Sequence, residues 1–466
     1  MPHKHLIHNN QHMEEIMHHQ QKTSYAVVVI SILCTILLAA CHCQSIPEYL
    51  YFMTITRTSD KATDVPNKLT SDLCPTESGL ILVFDAQVNV PDVQNYSVAT
   101  TEKKKHNDED IQKYIYKLTG STEIYSEWIY PRTFWEDKLK KAMSFGETNW
   151  FSEEYISMLE EKALSCPDSP INSPANLSDY PVNVLSTAYT CSDQNFVSII
   201  QFSRHGNTFI YFRDEFLSIY TDSEFSESQF DPAYETRDHF LWRKPGIPRI
   251  TREEGLKIAF NALSALNVDL TLYNSQLCSI ITNQIDKSTG WIYTFTRNIS
   301  GVQSQFEQGW VYVNPNSVPR YVAPWSEEFF RIAVDEDGPA MVWWSGASEI
   351  TGIPIENAKL LNFDEIHHNI ECHLASIYGS HSNGGNNLKI VVSDITLSMS
   401  MISIDNAAET GVYVPSWVIT FDKYWNNEPD MLLGSEQIII NALDGSYIEP
   451  RMTVQERERL LRESNK

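Results

Sequence analysis

Twice in the second half of the chain a helix-patterned segment stands among strand-patterned runs, with turn residues at the joints. The better defined copy opens at Ile250. Thr251 and Glu254 form a T-x-x-E capping box, in which each side chain satisfies the other residue's orphan backbone N–H. Leu256, Ala259, Phe260, Leu263 and Leu266 then recur at the spacing of a single helix face. Strand-like runs follow at 278–283, 291–297 and 309–313. Strands that follow one another without an intervening helix pair antiparallel, because parallel neighbours need a long crossover. The second copy places strands at 329–334 and 341–345 around the turn Asp335-Glu336-Asp337-Gly338. A helix over 363–378 follows, with Phe363, Ile366, Ile370, Leu374 and Ile377 as its apolar stripe. Then come β-rich runs at 388–404, 413–421 and 437–443, the last ending in Asp444-Gly445-Ser446.

The first half is less regular. Residues 79–90 read as a strand stopped by Pro91, and Asn107 starts a helix with Ile111, Tyr114, Ile115 and Leu118 on one face. One further helix runs through Phe134, Leu139 and Met143. Another starts at Ser152 and buries Tyr155, Ile156, Leu159 and Ala163. A Pro-, Ser- and Asn-rich stretch at 166–180 reads as a linker. Beyond it, 197–202 and 208–212 form the arms of a hairpin around His205-Gly206-Asn207, and an acidic, aromatic loop spans 214–238. The expected fold class is therefore α+β. It has two or three units of antiparallel sheet with packed helices, at 79–165, 181–318 and 319–450, and a charged tail at 451–466.

The N-terminal segment carries a different signal. Tyr25 to Ala40 is a sixteen-residue run without charge, preceded by Lys22 and ending in Leu38-Ala39-Ala40-Cys41. It is short for a membrane span, which takes about 20 apolar residues, and suits the apolar core of a secretory signal. Small residues followed directly by Cys41 resemble a bacterial lipobox. That resemblance implies a signal peptide over 1–40, diacylglycerol on the Cys41 thiol, and attachment to the extracytoplasmic face of the cell membrane. Residues 41–78, polar and rich in Thr, Ser and Asp, read as a tether, with a short strand at Tyr51-Phe52-Met53. The six histidines before residue 20 fall in the leader, whose start is open to Met13 or Met17, the latter giving it conventional proportions.

Charge narrows the partners. The chain of 466 residues has a formal net charge of -25. Nucleic acid is excluded as a partner, since its binding rests on phosphate neutralisation by Lys and Arg. Anionic lipid is not attracted either, so the lipid on Cys41 must supply the membrane contact. Six further cysteines (Cys43, Cys74, Cys166, Cys191, Cys278 and Cys372) form no C-x-x-C pair, so a zinc ribbon is not expected. Cys166 and Cys191 flank the linker and are the favoured disulfide pair, whereas Cys278 and Cys372 read as buried thiols.

The C-terminal residues carry a family resemblance. The helix opening Thr-Arg-Glu-Glu-Gly, the strand VPSWVITF and the strand-turn IIINALDGSYI resemble the PepSY-like units of extracytoplasmic proteins. In those units a Pro-x-Trp strand pairs with one reading Val/Ile-Asn-Ala-x-Asp/Thr-Gly. The matching positions are Pro415, Trp417, Asn441, Ala442, Asp444 and Gly445. The layout of 320–450 is similar to membrane-anchored regulators of a Gram-positive cell-wall histidine kinase. The whole chain resembles an uncharacterised family of gut Firmicutes lipoproteins, down to a Val90-Pro91-Asp92 strand end. The resemblance implies a non-catalytic binding or regulatory module, of a kind associated with protease inhibition or sensing.

Candidate chemistry is sparse. Arg204-His205-Gly206 matches the triplet of histidine phosphatases, but no second histidine element follows it, and a hairpin tip is the simpler reading. His367, His368, Glu371, Cys372 and His373 form a dense ligand cluster. His367 faces Glu371, and His368 faces Cys372, at i,i+4 on the helix. The His-Glu-x-x-His arrangement is missing. Asp335 to Gly338 lacks the later carboxylates of a calcium loop. No Gly-x-Ser-x-Gly, phosphate loop or dinucleotide fingerprint occurs, so no catalytic residue, metal or cofactor is expected. The favoured expectation is a lipid-anchored protein that binds an envelope protein or peptide by adding a strand to a sheet edge. An envelope hydrolase built on His205 or the His367–His373 helix is one alternative. A solute- or glycan-binding lipoprotein, suggested by eleven Trp and twenty-two Tyr, is the other.

Overall fold

The structure is a computed structural model. It describes residues 65–464 apart from 76–79, 145–150, 152, 194–195, 222–242, 283–285, 306–320, 380–387, 405 and 426–427. The leader, Cys41, Tyr51–Met53 and the expected strand at 309–313 lie outside the described residues. Residues 58–466 form one compact unit.

Strands β1 (Lys68–Pro75), β2 (Ile81–Asn89) and β3 (Val98–Lys103) lead into helix α1 (Asp108–Thr119). After β4 (Ile124–Ile129) come α2 (Arg132–Ser144) and α3 (Glu153–Ser165). Next are β5 (Ile171–Ala175), β6 (Leu185–Asp193), β7 (Phe196–Ser203), β8 (Phe209–Phe212) and β9 (Ser218–Thr221). Helix α4 (Arg252–Leu263) precedes β10 (Leu270–Thr282), β11 (Asp286–Ile299), β12 (Val302–Gln303) and β13 (Tyr321–Ala323). β14 (Phe329–Asp335), β15 (Gly338–Ser345) and β16 (Ser348–Ile355) lead to α5 (Phe363–Tyr378). β17 (Leu388–Ser403), β18 (Thr410–Trp425), β19 (Glu428–Asn441), β20 (Tyr447–Thr453) and α6 (Val454–Ser464) close the described chain.

The fold is mixed α+β, with most of its residues in two large sheets. A nine-stranded sheet runs β1-β2-β17-β18-β19-β20-β13, with β3 also on β18 and β16 on β3. An eleven-stranded sheet runs β5-β4-β6-β7-β8-β15-β14-β11-β10-β9, with β12 on β11. Pairing is antiparallel except at β2/β17 and β13/β20. Sheet membership cuts across sequence order. Strands from 321–355 divide between the two sheets, and β2 lies beside β17 although more than 300 residues separate them.

Each sheet buries one face under helices. Phe363, Ile366, Ile370 and Leu374 of α5 pack on Phe84, Trp417, Phe421 and Ile440 of the nine-stranded sheet. The α1 and α4 stripes cover Phe202, Phe209, Phe295, Phe330 and Trp344 of the other sheet. The α2–α3 pair covers part of its opposite face, around Tyr189 and Val197. Removing such side chains from water contributes about 1.5–3 kcal/mol each.

The helix ends follow their caps. Thr251 Oγ1 accepts from Glu254 N at 3.2 Å, and Glu254 accepts from Thr251 N at 2.8 Å. Asn362 caps α5 and Asn107 caps α1. Thr453 and Glu456 repeat the capping box at α6.

Several expectations change. The 166–180 stretch holds edge strand β5 on β4, where Pro174 is tolerated because an edge strand has one side without a ladder. Residues 68–75 of the expected tether form edge strand β1. Helix α2 buries Trp135, Lys138 and Ala142, while Met143 is 61% exposed. Phe260 is 43% exposed and touches the core through a ring contact with Phe295 at 5.0 Å. Cys166 and Cys191 are not joined to each other, so the favoured disulfide is not formed. Cys166 instead packs against the α2–α3 aromatics. Cys278 is buried as expected. Cys372 is exposed, because it lies on the flank of α5, off the Ile366-Ile370-Leu374 stripe.

Candidate functional site

The Pro-x-Trp and Asn-Ala-x-Asp-Gly segments meet. On β18 and β19, Ser416 pairs with Asn441 and Trp417 with Ile440. Ala442 N donates to Pro415 O at 2.9 Å, closing the ladder past the strand end. Trp417 is 1% exposed and meets Phe363 edge-on at 5.4 Å. The turn is locked by Gly445, with φ 73° and its N–H on Asn441 O at 2.8 Å. A side chain at Gly445 would also strike Asn369, whose Nδ2 lies 2.1 Å from the position of a Cβ. Asp444 anchors the turn through Ser446 N at 3.0 Å and the Tyr321 hydroxyl at 3.1 Å.

The same β19 carries an open edge. β20 pairs with β19 only at Ile439 and Ile440. From Met431 to Ile438 the outer side of β19 has no ladder partner among the described residues. Met431, Leu432 and Leu433 stand there 49%, 53% and 38% exposed. An apolar strand edge with free N–H and C=O groups is a template for another chain.

The histidine candidates are held structurally. His205 sits at the β7–β8 hairpin tip in the left-handed region, φ 57°. Its backbone N donates to His106 O at 2.9 Å, and His106 N returns a bond to Gly206 O at 3.0 Å. Arg204 grips the start of α1, with Nε and Nη2 on the Asp108 carboxylate at 2.7 and 2.9 Å. Its remaining bonds go to the carbonyls of Ser178 and Tyr180. The triplet therefore pins a loop to a helix.

On α5, His367 lies 3.7 Å from Glu371, His368 3.6 Å from Cys372 Sγ, and His373 3.0 Å from Gly445 O. His368 and His373 have different partners, and His367 Nε2 is buried without a hydrogen bond. Among the described residues no three His, Cys, Asp or Glu side chains converge as a metal site. The Asp335 turn is a hairpin with Gly338 at φ 103°. Burial alone would raise the Asp335 pKa. The Arg213 guanidinium at 2.6–2.7 Å, with Ser288 and the Asp337 N–H, overcomes that and holds it below the ordinary value.

Three buried polar groups lay beyond sequence reasoning. Glu328, 2% exposed, accepts from Arg297 Nε and Nη2 at 2.6 and 2.8 Å, and from Trp344 Nε1 at 3.1 Å. It also accepts from Ser348 N and Oγ and from the Tyr413 hydroxyl. The node ties β11 and β15 of one sheet to β16 and β18 of the other. Lys138 places Nζ 3.7 Å from the centre of the Phe216 ring, among Phe134 and Trp135. Burial lowers its pKa to about 8, with Asp214 and Glu215 acting in the opposite direction. At 4% exposure it leaves no room for a substrate. His106 is fully buried between Tyr114 and Trp344, and neither ring nitrogen has a partner. Burial, and then Lys104, hold its pKa down at about 3, so the ring is neutral.

One open cavity of about 430 Å³ lies where the hairpin tip, the end of β3 and α6 meet. Its lining includes Lys103, Asn207, Trp325, Ser326, Glu456 and Arg459. None of the eight described tryptophans is exposed, so no planar tryptophan platform stands among the described residues.

No protein-family model matches the chain, and no curated protein does. A crystal structure of an uncharacterized protein from Eubacterium rectale ATCC 33656 is similar at 12% identity, with a TM-score of 0.42, over 84% of this chain and 96% of that one.

Proposed function

We propose that the protein is a non-catalytic, lipid-anchored lipoprotein on the outer face of the cell membrane. It holds an envelope protein or peptide by strand addition to β19. The observation that carries this reading is the outer edge of β19, which has no ladder partner among the described residues from Met431 to Ile438 and exposes the apolar Met431, Leu432 and Leu433 at its start, on the strand that forms the Pro-x-Trp pairing. An extended segment docking there gains main-chain hydrogen bonds in a ladder and apolar contact with Leu432 and Leu433. The lipobox at Leu38–Cys41 favours attachment through Cys41. The PepSY-like pattern of Pro415, Trp417, Asn441, Ala442, Asp444 and Gly445 favours a regulatory or inhibitory module. His373 is bonded to the Gly445 carbonyl and Asp335 to Arg213, and among the described residues no three His, Cys, Asp or Glu side chains converge, which favours binding over hydrolysis.

The test is crosslinked capture from cells expressing the wild type, a Leu432→Lys/Leu433→Lys variant and a Cys41→Ala variant, read by mass spectrometry. A lysine pair on the edge opposes strand addition. One envelope protein held by the wild type and lost from the lysine variant is expected. Equal recovery from wild type and lysine variant would remove β19 as the docking edge.

A further inference from the structure

We infer that the cavity beside the β7–β8 hairpin tip is a binding site for a small phosphate monoester with a polar body. Four parts of the chain build it: the end of β3 (Lys103), the hairpin tip (Asn207), the segment before β14 (Trp325 and Ser326) and α6 (Glu456 and Arg459). Its volume of about 430 Å³ falls within the usual range of ligand pockets.

The cavity lining carries two cations, Lys103 and Arg459, against one carboxylate, Glu456. In a chain of net charge -25, Lys103, Lys104 and Lys105 form an uninterrupted basic run. Lys104 pairs with Asp110 at 3.8 Å. Lys103 and Lys105 share one carboxylate, Glu409, at 3.8 and 3.4 Å, so the lysines outnumber their partner. Arg459 has no hydrogen-bond or ion-pair partner among the described residues. The carboxylate in the lining, Glu456, is already turned to the Thr453 N–H at 2.8 Å and the Thr453 hydroxyl at 3.0 Å. Two cations facing one cavity favour a dianion over a single carboxylate, and a guanidinium matches phosphate oxygens in a planar fork. The space left beyond a phosphate is bordered by the amide of Asn207 and the hydroxyl of Ser326, which suit ligand hydroxyls. Trp325 is fixed by its Nε1 bond to Gly346 O at 3.0 Å and closes the floor.

The site shares no residue with the β19 edge, so it stands or falls separately from the proposed function. Isothermal titration with glucose 6-phosphate tests it, with inorganic phosphate and glucose as comparators. Saturable one-to-one binding of glucose 6-phosphate is expected, weaker binding of inorganic phosphate and none of glucose. Lys103→Gln/Arg459→Gln should weaken binding at least tenfold while leaving the unfolding midpoint unchanged. Glu456→Gln, which keeps an oxygen for the Thr453 cap, should tighten it severalfold. Absence of saturable binding by the wild type would overturn the assignment. So would equal affinity in the double variant, or weaker binding by Glu456→Gln.

Discussion

Lowering the pH from 7 to 5 will destabilise this protein through one residue, His106. The imidazole is fully buried with both nitrogens unpartnered, and its folded pKa is about 3 against 6.5 when exposed. The folded value is depressed. Its contribution is therefore present in full above 6.5 and is lost as pH falls toward 3, because the unfolded chain takes up a proton that the folded chain refuses. Each pH unit in that window costs about 1.4 kcal/mol, so 1.5 units below 6.5 cost about 2 kcal/mol. That is a large fraction of a typical stability of about 5–15 kcal/mol. His106→Phe retains an aromatic ring between Tyr114 and Trp344 and cannot titrate. Urea unfolding of both proteins at pH 7, 6 and 5 isolates the effect, because every other titrating group is common to the pair. The wild type should lose about 2 kcal/mol relative to the variant between pH 7 and 5. A constant difference across that range would refute the argument, and would mean that the folded protein protonates His106 as readily as the unfolded chain.

Two further outcomes follow from other parts of the molecule. Glu328→Gln leaves Arg297 as a buried cation without its counter-charge, and should cost about 3–5 kcal/mol in urea unfolding; a loss below about 1 kcal/mol would show that the node does not hold the sheets together. Cys41→Ala should move the protein from the membrane fraction to the soluble fraction and abolish incorporation of labelled fatty acid, and unchanged fractionation would contradict lipid attachment at that thiol.

The elements that announced themselves did so through local chemistry. Helix α5 runs from Phe363 to Tyr378 as its stripe requires, and Thr251 caps α4 where the T-x-x-E motif places it. The hairpins at His205 and Asp335 follow from turn residues alone. What stayed hidden depends on partners distant in sequence. Nothing in residues 81–89 specifies a parallel neighbour at 389–396. Strand β5 was masked by Pro174, because proline argues against a strand unless its edge position is known. Helix α2 misled because a lysine is ordinarily solvated, yet the stem of Lys138 packs inward and its ammonium finds the Phe216 ring. Arg297 and Glu328 look like any surface pair until four strands close around them. The candidate docking edge shows the same limit. Met431–Leu433 fall outside the strand read at 437–443, and only the ladder of β20, stopping at Ile439, shows Leu432 and Leu433 without a neighbouring strand among the described residues.

The most direct measurement is site-specific crosslinking in living cells. A photoreactive amino acid is placed at Leu432 on the β19 edge, with a control at Tyr116 on α1, which is 59% exposed. The account predicts one discrete adduct with an envelope protein from position 432 and none from position 116. No adduct from 432, or the same adducts from both positions, would contradict a partner held on the edge of β19.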